Sequence, residues 1–424
     1  MSGRRPLTFF DLWCLGVNAI VGSSIFLFPG KLAALLGPAS VAAFALTGLL
    51  LAGVALCFAE ASARFDGHGG PYLYARSAFG PATGFAVGWT CWVAEILSAA
   101  AVANGIGVYL GYFEPRLAQP AAVKTAAALT LVVMGAVNYR GVKLGAWTSN
   151  ALTLAKLGPL LLLAVVGLPR LSVAALTPLA PHGWAPLGRA CFLAYFAFSG
   201  FECVPVPAGE SRDAPRHVPW AVLGSLAAAT LLYCAVQLAS VAALPGLAAS
   251  SRPLASAAAA LLGPMGAAVL SAGAVVSMVG YTAGCALGGP RYLVAMAEHG
   301  DLPRPFGRLH ERYATPVVAV TATAALSLAA ALLLDFDKLV DIGIVVICAQ
   351  YLATCSSVIV LRRRGPSPFK IPGGVLVPLW GIAATLWLGA QGGLAEIAWA
   401  VALLALGFAV RFCWQAGVRG QSNH

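Results

Sequence analysis

Apolar residues run in long blocks along this chain, and polar residues gather between the blocks. A membrane-spanning helix needs about 20 mostly apolar residues. On that measure the pattern predicts twelve spans, at 9–35, 39–64, 82–112, 121–139, 146–168, 186–209, 217–244, 264–297, 315–334, 338–361, 375–391 and 393–413. Gly37-Pro38, Gly80-Pro81 and Gly263-Pro264 punctuate the block ends. The Ala-rich stretch from Pro253 to Gly263 predicts a short helix outside the bilayer, between spans seven and eight. Two blocks are interrupted in their middles by small residues: Asn18 to Phe26 around Gly22-Ser23-Ser24, and Tyr195 to Glu202 around Ser199-Gly200. The bilayer core offers no water to a backbone group released from a helix, so non-helical backbone is tolerated there only where it is buried in protein or lines a cavity. The pattern therefore predicts broken helices in spans one and six, near the bilayer midplane. Equivalent points lie five spans apart, which is the arithmetic of an inverted five-plus-five repeat. The expected organisation is one transmembrane transporter domain over 1–424, with repeats at 9–168 and 186–361 and two further helices at 375–413.

Composition narrows the class. Of the 424 residues, 60% are hydrophobic and only 10% charged, against roughly 25% charged in soluble domains. The fold class is an all-α membrane protein, with no segment left for a sizeable soluble domain. The net charge of +11 is a topology signal rather than a nucleic-acid site. With the N-terminus on the cytoplasmic side, about 18 of the 26 Lys and Arg residues fall on that side and 7 on the other, with Lys156 left inside a helix. The loops around Arg64 to Pro71 and Glu210 to Arg216 are then cytoplasmic, as are both termini. Span one is too long for a removable signal peptide, carries Pro29 and is followed at once by another span. The ten cysteines are scattered through apolar segments without a CxxC pair, and the six histidines fall in loops or the tail without metal-ligand spacing. No cofactor and no metal is implied.

The breaks carry the candidate chemistry. A half-helix starting at Gly22-Ser23-Ser24 offers free N–H groups, a partial positive charge and two hydroxyls, all suited to a carboxylate; the plainer alternative is close helix packing through small residues. The Ser199-Gly200 break exposes carbonyl oxygens, which suit an ammonium group. Together they can hold the zwitterionic head of an amino acid. Phe196, Phe198 and Phe201 flank the second break, and Phe196 is the best candidate for an aromatic cover over the substrate.

Three ionisable residues lie deep in apolar sequence: Glu95, Lys156 and Glu202. A charge at that depth costs at least about 3 kcal/mol, so such residues usually face an interior cavity. Lys156 sits too far along span five for easy snorkelling, and its ammonium can stand in for a bound cation. Glu202 follows the second break and is a candidate either to carry a coupling proton or to pin the loose backbone. Glu95 can face the substrate side chain or pair with a polar neighbour.

These residues resemble the amino acid–polyamine–organocation (APC) superfamily of permeases over essentially the whole chain. Gly16 to Gly30 is similar to that family's first-helix signature, with Ser24 where a second glycine is usual. Further similarity lies in Phe58 to Phe65, Gly69 to Tyr74 with Ala78 to Gly80, Asn138 to Lys143, Gly200 to Glu202 with Gly209-Glu210, and Ala295 to Pro303. The resemblance implies that groups around Ile20, Gly22, Ser23 and Ser24 hold the substrate carboxylate. Carbonyls near Phe196, Ala197, Ser199 and Gly200 would hold the amine. It also implies that Lys156 occupies the place of a sodium ion, and that Glu202, with Tyr351 as partner, serves proton sensing and the inner gate. Glu95 falls where relatives place a polar substrate contact, and its carboxylate departs from the neutral residue usual there, which points to a cationic side chain or amine.

The expected function is secondary active transport of amino acids or related amines across a bacterial-type plasma membrane. It would be sodium-independent, by proton-coupled symport or substrate exchange. The partners are then the substrate, protons and membrane lipids, with no nucleic acid. An amino-acid sensor or channel-like binding protein on the same fold is the alternative; a membrane enzyme lacks the deep His, Asp or Ser constellation it would need.

Overall fold

Thr8 starts the first helix. Its hydroxyl accepts from the Asp11 backbone N–H at 3.3 Å while the Asp11 carboxylate accepts from the Thr8 N–H at 2.9 Å, a reciprocal cap. Helix α1 then runs Phe9–Ile20 and stops. Residues 21–23 are non-helical, and α2 resumes at Ser24–Leu36. The computed structural model describes residues 7–65, 69–141, 146–206, 211 and 213–421. Lys143, Gly209, Glu210, Arg212 and residues 66–68 of the segments named above lie outside them.

The remaining helices are α3 Val41–Ser62, α4 Pro71–Phe79, α5 Pro81–Leu110, α6 Pro120–Tyr139, α7 Ala146–Gly167, α8 Leu187–Phe198, α9 Ala214–Ala243, α10 Pro253–Glu298, α11 Val317–Leu333, α12 Phe336–Arg362, α13 Leu376–Gly389 and α14 Leu394–Gln421. Each predicted span corresponds to a helix or a broken helix, and among the described residues the strand-like pairing is an isolated bridge between Leu7 and Ser211. Among the described residues eight helical segments are long and apolar enough to cross a membrane, with shorter apolar helices beside them. The protein is an all-α membrane protein.

The hydrophobic pattern missed one element. Helix α4 is short and mixed in polarity, so it carries no span signal, yet Pro71 in its first turn and Gly80 just past its end are helix boundary marks. Helix α10 is really two helices. Gly263, at φ +68°, breaks it between the segment expected outside the bilayer and the span proper.

Spans one and six differ after their breaks. Span one continues as the full helix α2, whereas α8 is followed by only a 3-10 turn at Phe201–Cys203 among the described residues. The interrupted helices sit inside the bundle. Of the apolar window of α5, 83% is buried, against 6% for that of Leu394–Ala416, so α5 is a central wall and α14 a peripheral one. Large apolar side chains such as Leu129, Leu333, Leu394, Trp399 and Phe412 are exposed on the outer helices. That surface suits hydrocarbon, where water gives no reason to hide it.

Candidate functional site

A helix that stops in mid-membrane releases carbonyl oxygens, and each must find a donor. The breaks satisfy them with side chains from other helices. At the end of α1, the Lys156 ammonium of α7 donates to the carbonyls of Asn18 at 2.9 Å and Val21 at 2.6 Å. Ser277 of α10 donates its hydroxyl to Val21 at 3.0 Å and Gly22 at 3.2 Å. The Tyr233 hydroxyl of α9 stands 3.0 Å from the Ile20 carbonyl and 3.1 Å from that of Ala197. One phenol thus joins the two breaks. At the end of α8, the Ser199 hydroxyl turns back to the Phe196 carbonyl at 2.8 Å.

The breaks also touch directly. Gly200 has φ +131°, and a Cβ there would lie 2.4 Å from the carbonyl carbon and oxygen of Ala19. Only glycine fits both the conformation and the contact. Glu202 then fixes the turn. Its Oε2 accepts from the Gly200 N–H at 2.7 Å and the Tyr351 hydroxyl at 2.8 Å, and its Oε1 from the Gln350 amide at 3.4 Å.

Beside the breaks lies a cavity of about 110 Å³. Asn18 and Ala19 of α1, Ser199, Gly200 and Glu202 of the second break, Glu95 and Ser98 of α5, Tyr281 and Arg291 of α10, and Gln350 of α12 all face it. It runs from the breaks toward the end of the molecule that carries the start of α1, past Leu15, Val206 and Arg291. In the opposite direction Phe28 packs against Phe196, with centroids 6.3 Å apart, and against Phe336 at 6.0 Å. Beyond them stand the ion pairs Lys31–Asp337 and Arg189–Asp341, the latter at 2.6 Å.

Most of the residues singled out in the sequence therefore meet. Tyr233 ties Ile20 to Ala197, Lys156 binds the Asn18 and Val21 carbonyls, and Glu202 ties Gly200 to Tyr351, while Ser199, Gly200, Glu202 and Glu95 border the cavity. Gly22 packs under Tyr281, whose ring a Cβ at 22 would meet at 3.0 Å. Ser23 and Ser24 are buried at the start of α2, and the Ser23 hydroxyl has no hydrogen-bond partner among the described residues. Phe196 packs against Phe28 and does not line the cavity. Four further residues escaped the sequence reading. Tyr233 and Ser277 are single polar groups in long apolar helices, with nothing nearby to mark them. Cys203, whose thiol points at Glu95 at 3.5 Å, passed as a buried hydrophobe. Arg291, counted with the loop cations, belongs to α10 and lines the cavity.

Two interrupted helices that meet beside a cavity are the architecture of a membrane transporter. The chain belongs to the amino acid permease family of the APC superfamily, whose model matches residues 7–413. It is similar to the methylthioribose transporter of Bacillus subtilis (strain 168), 28% identical over 91% of this chain and 88% of that one. The branched-chain amino acid permease BcaP of the same organism is 27% identical, over 97% and 93% of the two chains. Its serine/threonine exchanger SteT is 27% identical over 88% of each.

Proposed function

We propose that this protein carries amino acids or related amines across the plasma membrane by alternating access around the two breaks. The substrate carboxylate meets the N–H groups and hydroxyls at Gly22, Ser23 and Ser24, and its ammonium meets the carbonyls around Ala197 and Ser199. The two halves, 9–168 and 186–361, move relative to each other about this point, with 375–413 outside the repeat. The excess of Lys and Arg on one side supports cytoplasmic termini, so the open cavity faces the cytoplasm. Phe196 is then part of the cover on the outer side.

The observation that carries the reading is Lys156. Its ammonium, buried and bound to the Asn18 and Val21 carbonyls, occupies the pocket of backbone oxygens that the broken helix would offer to a cation. A fixed charge there makes sodium unnecessary, leaving a proton gradient or a counter-substrate as the driving force. Glu202, with Tyr351, is the candidate group through which protons act. The names of BcaP and SteT, an amino acid permease and an amino acid exchanger, support the substrate class.

Uptake of a labelled amino acid and polyamine panel into proteoliposomes tests this. Replacing sodium by choline should leave uptake unchanged. Accumulation in empty vesicles under an inward proton gradient identifies symport, and uptake only into preloaded vesicles identifies exchange. A strict requirement for sodium would overturn the role given to Lys156.

A further inference from the structure

Glu95 and Glu202 are both deep carboxylates on one cavity, yet their surroundings differ. Glu202 receives a backbone N–H, a tyrosine hydroxyl and a glutamine amide, a set of donors that satisfies it from within the protein. Glu95 receives only thiols: Cys203 at 3.5 Å, with Cys285 also beside it. A thiol is a weak donor. Among the described residues no lysine, arginine or histidine comes within ion-pairing distance of Glu95. Lys156 is engaged with the backbone of α1, and Arg291 lies about one helical turn beyond Gly288, the residue of α10 that faces Glu95. Glu95 is partly exposed, toward the cavity, and among the described residues no group of the protein neutralises its charge there. Here the acid is aimed into a ligand cavity rather than into packing, so the missing partner is a group that enters the cavity.

We propose that Glu95 is the specificity-determining residue of this transporter, and that the side chain of its substrate ends in a cationic group that Glu95 binds. This rests on the amino-acid reading above and sharpens it. The substrate head lies at the breaks, and its side chain reaches α5, where the Glu95 carboxylate takes a charge-assisted hydrogen bond in place of the thiol contacts. The relatives compared above are named for solutes without such a cation, so the assignment comes from this cavity and not from them.

Lysine and norleucine isolate the charge, because they share a backbone and a four-carbon side chain and differ by the terminal ammonium. Each is used to compete against labelled substrate uptake in proteoliposomes of the full chain, with wild type, Glu95→Gln and Glu95→Asp. Wild type should prefer lysine over norleucine by about tenfold or more. Glu95→Gln should bring that ratio to about one, and Glu95→Asp, which keeps the charge, should hold part of the preference. If Glu95→Gln does not transport, the same two ligands are compared by thermal stabilisation of the purified variant. Equal or greater affinity of wild type for norleucine overturns the proposal while leaving an amino acid transporter. A lysine preference that survives in Glu95→Gln also overturns it. Failure of wild type to take up any amino acid or amine would instead overturn the reading on which it rests.

Discussion

Tyr233 has one phenolic proton and stands within 3.1 Å of two carbonyls, one from each broken helix. It can serve both only by sharing that proton or alternating between them, so it stabilises the pair of breaks as a unit. Removing the hydroxyl takes the donor from the Ala197 carbonyl and leaves the Ile20 carbonyl with only the Gly22 N–H at 3.0 Å, at a cost of roughly 1–3 kcal/mol. Tyr233→Phe is therefore expected to lower thermal stability by several degrees and to slow transport, because the breaks lose their shared tie. A melting curve in detergent and an uptake rate check both effects; wild-type values in each would show that the phenol is a bystander. Lys156 and Ser277 follow the same logic. The residue chemistry at the centre is an accounting of orphaned carbonyls, and each donor arrives from a different helix.

At the scale of the element, a break needs a residue that both permits the turn and lets the neighbouring backbone approach. Gly200 does both, with its positive φ and the Ala19 carbonyl against its missing Cβ. Gly200→Ala would have to separate α1 from the second break by close to an ångström, and overpacking of this kind costs typically about 1–3 kcal/mol, before the strain of φ is counted. Uptake should be lost while the helical content by circular dichroism stays near wild type. Retained uptake would mean that the two breaks need not touch. The position of both breaks was legible in the sequence, because small residues interrupt long apolar runs at Gly22 to Ser24 and at Ser199-Gly200. Their contact was not. It depends on how α1 and α8 are brought together by helices far away in sequence, and no local pattern encodes that distance. The same holds for α4, whose boundary residues were visible but whose mixed polarity hid it among the loops.

At the scale of the molecule, one end is held by buried charges. Asp301, at the end of α10, receives Arg76 of α4 at 2.8 Å and Tyr72 at 3.2 Å on one oxygen, and Arg411 of α14 at 2.8 Å and 3.0 Å on the other. Glu60 of α3 is bound by Nε and Nη2 of Arg362 of α12, at 2.7 and 2.6 Å. Arg411 thereby fastens a peripheral, largely exposed helix to the core. Arg411→Ala leaves half of a buried carboxylate unpaired although Arg76 remains, and should cost about 1–3 kcal/mol of stability. Arg411→Lys should recover part of it. Thermal unfolding of the two variants in detergent decides the point, and an unchanged melting temperature for Arg411→Ala would mean that α14 is held by apolar packing alone.

The class of molecule is legible in the linear chain, because the bilayer demands apolar length and tolerates broken helices only where they are buried in protein or line a cavity. Both demands act on contiguous residues and so leave a linear trace. The family signatures and the three deep ionisable residues, Glu95, Lys156 and Glu202, were readable for the same reason. Which carbonyl each deep polar group serves follows from the packing of the helices. That packing also set Glu202 inside a full shell of donors while leaving Glu95 facing the cavity with thiols, and it moved Arg291 from a topology signal to the cavity wall. Those outcomes depend on distances of a few ångströms between helices more than a hundred residues apart, such as α1 with α7 and α5 with the second break. Hydropathy, which averages over neighbours in sequence, carries no information at that range.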